Sequence, residues 1–237
     1  MDQPVSARRV LFASLVGTAV EFYDFYVYAT AASLVFGQLF FPKASASAQL
    51  MSSYATFAVV ACFAIFYLAT AFALGYGVAT LHYSRQVFLA VELGAIVFLA
   101  LGILVAGRWS DAASPRLVLM LGCAGTVAAG LALPAMLGSG SLLLIWAWLS
   151  LALFLMGFCY GPLGAWLPSL YPPRVRYSGA SVAFNVGGII GGGLAPMIAQ
   201  ALADRGGLGP VGLYLAGAAL ISLIAIAPSR PRYAESA

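Results

Sequence analysis

The feature that most constrains this chain is a series of unbroken apolar runs, each long enough to cross a lipid bilayer as an α-helix. A crossing needs about 20 predominantly apolar residues, and such runs fall at roughly 11–40, 52–80, 87–107, 117–137, 141–168, 178–203 and 208–228. Hydrophobic residues make up 63% of the 237 and charged residues 8%, whereas soluble domains carry about 25% charged residues. Water would aggregate such a surface; lipid accepts it and obliges the backbone to satisfy its own hydrogen bonds. A membrane β-barrel would alternate apolar and polar residues over short segments, and continuous runs argue against it. The expected fold is all-α, with about seven transmembrane helices and the bilayer as its solvent. The short polar breaks leave no room for an extramembrane domain.

Charge and cysteine use narrow the classes further. The net charge of +4 comes from arginines gathered in the breaks between runs, the pattern that orients cytoplasmic loops rather than a nucleic-acid footprint. Cys62, Cys123 and Cys159 lie inside apolar runs without C-x-x-C spacing, so they read as small packing residues and no metal site is expected. Arg8 and Arg9 precede an apolar run over 10–41. That run is too long for a signal-peptide core, and the segment is expected to stay attached.

Two features of the pattern conflict with a simple serpentine. The run over 51–81 exceeds one crossing but falls short of the about 40 residues that two helices and a turn require; it reads as one long or tilted helix. Seven crossings with the N-terminus inside place Arg8, Arg9, Arg85 and Arg205 in the cytoplasm and Lys43, Arg108, Arg116, Arg174, Arg176, Arg230 and Arg232 outside. That is four against seven, the reverse of the usual bias. One helix at the N-terminal end is out of phase, and an even number of crossings removes the conflict.

Few residues in the runs carry chemistry. Glu21 and Asp24 stand three apart in Glu21-Phe22-Tyr23-Asp24-Phe25-Tyr26 and share a helical face. Carboxylates at this depth usually face a bundle interior or a wet path and mark proton relays or substrate sites. With their neighbours Tyr23 and Tyr26 they are the first proton or substrate candidates. Glu92 follows Arg85 by seven residues on the same face and reads equally as a structural pair. His82 lies in a break, as a solvated loop residue. The glycine-rich stretch 187–193 follows no strand, so it reads as helix packing through Gly187 with Gly191 and Gly188 with Gly192, not as a phosphate loop. Gly161-Pro162 and Pro196 read as kinks, and Asn185, ahead of the glycines, is the polar residue there expected to see a cavity. No nucleophile, base and orienting group gather at the polar edges, so no enzyme and no cofactor are expected. A retinal protein is excluded because the single lysine, Lys43, lies in a break and no crossing offers an amine for a Schiff base. Breaks this short also offer little signalling surface to a receptor.

Three segments carry a resemblance to the metabolite:proton symporter family of the major facilitator superfamily. The segment 17–26 is similar to the acidic, aromatic first helix of that family. The segment 171–181, with Arg174, Arg176, Tyr177, Ser178 and Gly179, running into 191–196, resembles the approach to its eleventh helix. The segment 107–116 resembles the superfamily's cytoplasmic loop motif G-x-x-x-D-R-x-G-R-[RK] between helices eight and nine: Gly107, Asp111 and Arg116 fit, while Ala112, Ser114 and Pro115 replace Arg, Gly and Arg. The resemblance implies twelve helices in two halves, alternating access around a central site, and proton-coupled symport of small organic acids or osmolytes in a bacterial plasma (inner) membrane. Only seven runs are present here. Residues 1–60 are therefore expected to hold the first helix and the start of a hybrid second, and residues 61–237 a carboxyl-terminal six-helix half, with a junction near Val59 to Phe63. Removing five helices, an odd number, accounts for the inverted charge count. A chain so built lacks one wall of the cavity, and it is expected to transport weakly unless two copies associate, or to survive as a non-transporting remnant or assembly partner.

Overall fold

The structure, a computed structural model, describes residues 46–229, with side chains from Thr56 onward except Ala58. The first apolar run, with Glu21, Tyr23, Asp24 and Tyr26, lies outside the described residues. From Ala46 the chain is helical: α1 (Ala46–Tyr67), α2 (Ala73–Ala79), α3 (Arg85–Ala112), α4 (Pro115–Leu137), α5 (Leu142–Ser169), α6 (Arg176–Gly188), α7 (Ala195–Gly206) and α8 (Leu208–Ile226). Single π turns, Leu68–Phe72 and Ile189–Gly193, join α1 to α2 and α6 to α7 without breaking the rod. Among the described residues six helices are therefore long and apolar enough to cross a membrane, and they follow the six runs after the first. The protein is an all-α integral membrane protein.

The breaks are shorter than hydropathy suggested. The polar stretch 108–116 reads as a loop in the sequence, but α3 continues through Ala112, and only Ala113 and Ser114 separate it from α4. Ser114 caps α4 by accepting from the Leu117 amide at 3.2 Å, and Pro115 takes the first helical position, where its missing N–H costs nothing. Likewise α7 runs through Gly206, and Gly207, at φ 70°, makes the whole turn into α8. Polar side chains at the end of a helix reach headgroups and water without the backbone leaving the helix.

Two contacts between breaks report the parity of the crossings. The Tyr83 hydroxyl, after the first described crossing, donates to the Gly140 carbonyl, after the third, at 2.6 Å. Arg116, at the start of the third, donates from Nε to the Ile226 carbonyl at 3.2 Å and from a terminal nitrogen to the Ala227 carbonyl, at the end of the sixth. Breaks separated by an even number of crossings thus share a face. On the face holding Arg116, the described arginines are Arg108, Arg116, Arg174 and Arg176; the opposite face holds Arg85 and Arg205.

Packing follows small residues. Helices α3 and α5 cross where Gly102 faces the Phe154 carbonyl and Gly157 faces the Leu99 carbonyl, each too close to admit a Cβ. Gly130 of α4 and Gly212 of α8 repeat the arrangement; a Cβ on Gly130 would lie 2.8 Å from the Gly212 carbonyl. The glycine stretch does pack as the sequence suggested: Gly187, Gly188, Gly191 and Gly192 all lie against α1, facing Val59, Phe63, Val60 and Tyr67 in turn. Without a hydrophobic force between helices in lipid, close approach of backbones is what holds such pairs. Trp148, fully buried on α5, spends its single donor on the Ala129 carbonyl of α4 at 2.9 Å.

Candidate functional site

An open cleft of about 770 Å³ lies between the second half of α5, the start of α6 and Ile103 of α3. This is within the range of small-molecule sites, about 300–1,000 Å³. Its shape has local causes. Pro162 and Pro168 stand inside α5, and because proline has no N–H, the Phe158 and Gly164 carbonyls lose their intrahelical donors. Gly164 lines the cleft, and a Cβ there would meet no atom within 4 Å, so the lining is open at that point. Across from it, the break 171–175 turns the chain so that α6 begins at Arg176. Gly179 fixes the angle: a Cβ there would overlap the ring of the buried Tyr171.

The polar groups of the lining converge on α6. Arg176, Tyr177, Ser181 and Asn185 line the cleft from that helix, and Tyr160 faces them from α5. Asn185 donates from Nδ2 to the Ser181 carbonyl at 2.8 Å, which orients its amide along the helix. Tyr160 meets Phe184 edge to face at 6.2 Å, and Phe184 meets Phe63 of α1 at 5.3 Å, so one aromatic wall ties three helices together. Among the described residues of the lining, Arg176 is the one Lys, Arg, Asp or Glu. The arrangement suits a small anionic molecule with a flat or apolar body: a guanidinium for a carboxylate, hydroxyl and amide groups for orientation, and aromatic faces for the remainder.

The residues singled out in the sequence separate into groups. Arg176, Tyr177 and Asn185 come together in the cleft. Arg174 is exposed on the break outside it, and Ser178 is half-buried on α6. Gly107 and Asp111 lie on the last turns of α3, where Asp111 is exposed and Gly107 has open space. Arg116 holds the end of α8. Glu92 lies on α3 away from the cleft; its Oε1 is buried with no hydrogen-bond partner among the described residues, and Arg85 is exposed, so that oxygen does not make the expected pair. Tyr160, Ser181 and Phe184 were missed as site residues. The i, i+4 spacing of Ser181 and Asn185 was a usable signal; the approach of Tyr160 to Phe184 was not, because it joins two helices. Among the described residues no group of three or more His, Cys, Asp or Glu side chains is disposed to hold a metal.

Comparison with known proteins gives this geometry its context. The chain is 38% identical over 176 residues to the inner membrane metabolite transport protein YhjE of Escherichia coli, covering 72% of this chain and 40% of that protein. Over this stretch the chain is a homologue of bacterial metabolite transport proteins. A Haemophilus influenzae protein named for metabolite transport is 35% identical over 188 residues, covering 74% of this chain and 42% of its own length. The shikimate transporter of Escherichia coli is 42% identical over 53 residues, 22% of this chain and 12% of that protein. No protein-family model and no solved structure matches the chain. The relationship agrees with the major facilitator resemblance read from the three segments. The match covers well under half the length of these relatives.

Proposed function

We propose that this chain is a bacterial inner-membrane protein that binds a small organic acid in the cleft between α5 and α6, and that its binding serves proton-coupled symport. The observation that carries this reading is a mostly apolar cleft whose one described charge, the Arg176 guanidinium, lies among hydroxyl and amide groups. The shikimate transporter among the relatives acts on a molecule of this class, a small ring bearing a carboxylate. Glu21 and Asp24, supported by Tyr23 and Tyr26, are the proposed proton carriers. Arg174 and Arg176 sit on the face we assign to the cytoplasm, because with Arg108 and Arg116 that face holds four of the described arginines against two, as the positive-inside rule requires. Residues 1–60 are proposed to join the family's first helix and the start of its second to a six-helix half, which supplies one wall of the transport cavity. A second copy would supply the other.

Replacing a charged partner of a carboxylate removes about 1.5–3 kcal/mol. Arg176→Gln is therefore expected to weaken shikimate binding to the detergent-solubilised protein roughly 10- to 150-fold, with Arg176→Lys intermediate because it loses the bidentate fork. Unchanged affinity in Arg176→Gln would remove the cleft from the reading. In proteoliposomes, uptake driven by a proton gradient should be lost in Asp24→Asn and kept at equilibrium exchange; gradient-driven uptake at the original rate would sink the proton role.

A second reading has its own observation. The apolar stretch of α3 buries only 17% of its residues within the described bundle, and the match to this chain covers 40% and 42% of the relatives' own lengths. A non-transporting partner that assembles with another transporter or with itself would cover such a helix. Crosslinking in native membranes separates the two: a monomer that still transports excludes the partner role.

A further inference from the structure

Among the described residues, Glu92 is the one Asp or Glu of the crossings that stands more than a turn from a helix end. It lies seven residues into α3, about 10 Å along the axis from its start and about 16 Å short of Ile103 at the edge of the cleft. Phe88 and Ala95, one turn to either side, are fully buried, and a Cβ on Gly77 of α2 would overlap the Phe88 ring. Leu89 and Ile96, on the other flank, are 37% and 42% exposed. The carboxyl therefore stands at a seam between packed helices and lipid. Its Oε1 is buried with no hydrogen-bond partner among the described residues. The elements packed against α3 are α2, α4 and α5. Their titratable side chains are Tyr76 on α2, Arg116 and Cys123 on α4, and Cys159 and Tyr160 on α5. Arg116 is at the opposite membrane face, bound to the end of α8. Tyr160 lines the cleft, Tyr76 lies against the Phe72 ring at 5.8 Å, and both cysteines are buried. On α3 itself Arg85 is exposed, while Arg108 and Asp111 lie at the far end; in the break before it His82 is exposed and Tyr83 donates its hydroxyl to Gly140. None of these groups bonds Oε1.

A carboxylate without a cation or a donor is costly in hydrocarbon, and acids kept within crossings mark proton paths. We propose that Glu92 is a proton-binding site apart from the cleft, whose proton exchanges with water at the membrane face that holds His82 and Arg85, the nearer end of α3. The inference stands without the cleft reading. An un-ionised acid at a lipid-facing seam is also a modification site for an apolar carbodiimide. The carboxyl proton passes to one nitrogen of the N=C=N group as the carboxyl oxygen bonds its central carbon. The acyl group then shifts from that oxygen to the nitrogen, giving a stable N-acylurea that keeps every atom of both reactants.

The test uses the whole chain in native membranes, treated with dicyclohexylcarbodiimide, cleaved after lysine and arginine and mapped by mass. The peptide 86–108, whose one acid is Glu92, is expected to gain one carbodiimide. Its yield should fall severalfold as the pH of the treatment rises, because only the protonated acid starts the addition. Any adduct on Glu21 or Asp24 falls on another peptide, before Lys43. A water-soluble carbodiimide with glycine ethyl ester should instead modify Asp111 and Asp204, both exposed, and spare Glu92. Glu92→Gln should lose the apolar adduct on 86–108 and keep the modification of Asp111 and Asp204. The decisive readouts come from the unsubstituted chain, so a variant that fails to fold does not obscure them. An unmodified 86–108 beside modified Asp111 and Asp204 would overturn the proposal. A yield at Glu92 that is the same at every pH, or equal with the two reagents, would overturn it too.

Discussion

Gly157→Leu is expected to unfold the bundle or to leave it destabilised by at least about 3 kcal/mol, the upper part of the range for forcing bulk into a packed core. A Cβ at this position would already meet the Leu99 carbonyl and lie 3.0 Å from the Ile103 amide nitrogen. Both are backbone atoms of α3, which cannot turn aside as a side chain can. The crossing is reciprocal, since Gly102 of α3 would likewise meet the Phe154 carbonyl of α5, and a Cβ on Gly161, one turn on, would stand 3.1 Å from the Ile103 carbonyl. Separating the helices by the width of a leucine forfeits contacts along the whole α3–α5 interface. Gly157→Ala should show a smaller loss of the same sign. Gly164→Ala, on the same helix with nothing within 4 Å of the added atom, should melt like the unsubstituted chain. Thermal unfolding followed by size-exclusion of the solubilised protein measures all three, and a Gly157→Leu protein that melts with the Gly164→Ala control would disprove the crossing.

Arg116→Ala is expected to cost about 1.5–3 kcal/mol, the worth of hydrogen bonds to a charged group, and to fray the end of α8 first. The guanidinium donates to the carbonyls of Ile226 and Ala227, the last residue of α8 and the one that caps it. Such carbonyls carry the negative end of the helix dipole, so a cation there neutralises them; the Ile226 carbonyl also accepts from the Ser229 amide at 3.0 Å and hydroxyl at 2.6 Å. Lysine offers a point charge in place of a fork, and Arg116→Lys should recover only part of the loss. Hydrogen exchange should rise at the last turn of α8 before it rises elsewhere. Equal stability and equal exchange in Arg116→Ala would show that the staple contributes nothing. The resemblance to a loop motif singled out this residue, but its partners in the structure lie on another helix 110 positions away.

How far the sequence could be read depends on the range of the interaction. The crossings were legible because lipid judges each segment by its own composition: 142–169 is apolar over its whole length and spans wherever it packs. The helix ends were less legible. Arg108, Asp111 and Arg205 are polar, and hydropathy assigned them to loops, yet the backbone stays helical through all three. Polarity reports where a side chain finds water, not where the helix stops. Asn185 could be nominated for a cavity as the polar residue ahead of the glycines, whereas Arg176 and Tyr177 were legible only as part of a helix approach, and the cleft they line with Asn185 was not foreseen. Tyr160 could not be nominated, because its position beside Phe184 is a relation between α5 and α6.

By itself, then, the sequence determined the solvent, the helices, the six crossings of the described unit and the charge bias that orients them. All of these follow from the free energy of moving a segment from water into lipid, which is summed locally. Only the tertiary structure decided which glycines bear the helix crossings, that Arg116 closes the end of α8, and that Tyr160 of α5 meets Phe184 of α6. Once inside lipid, an apolar side chain gains little by touching protein instead of a lipid tail, so the arrangement of helices rests on shape, close backbone approach and a few hydrogen bonds. Those depend on residues far apart in the chain, which no window along the sequence contains.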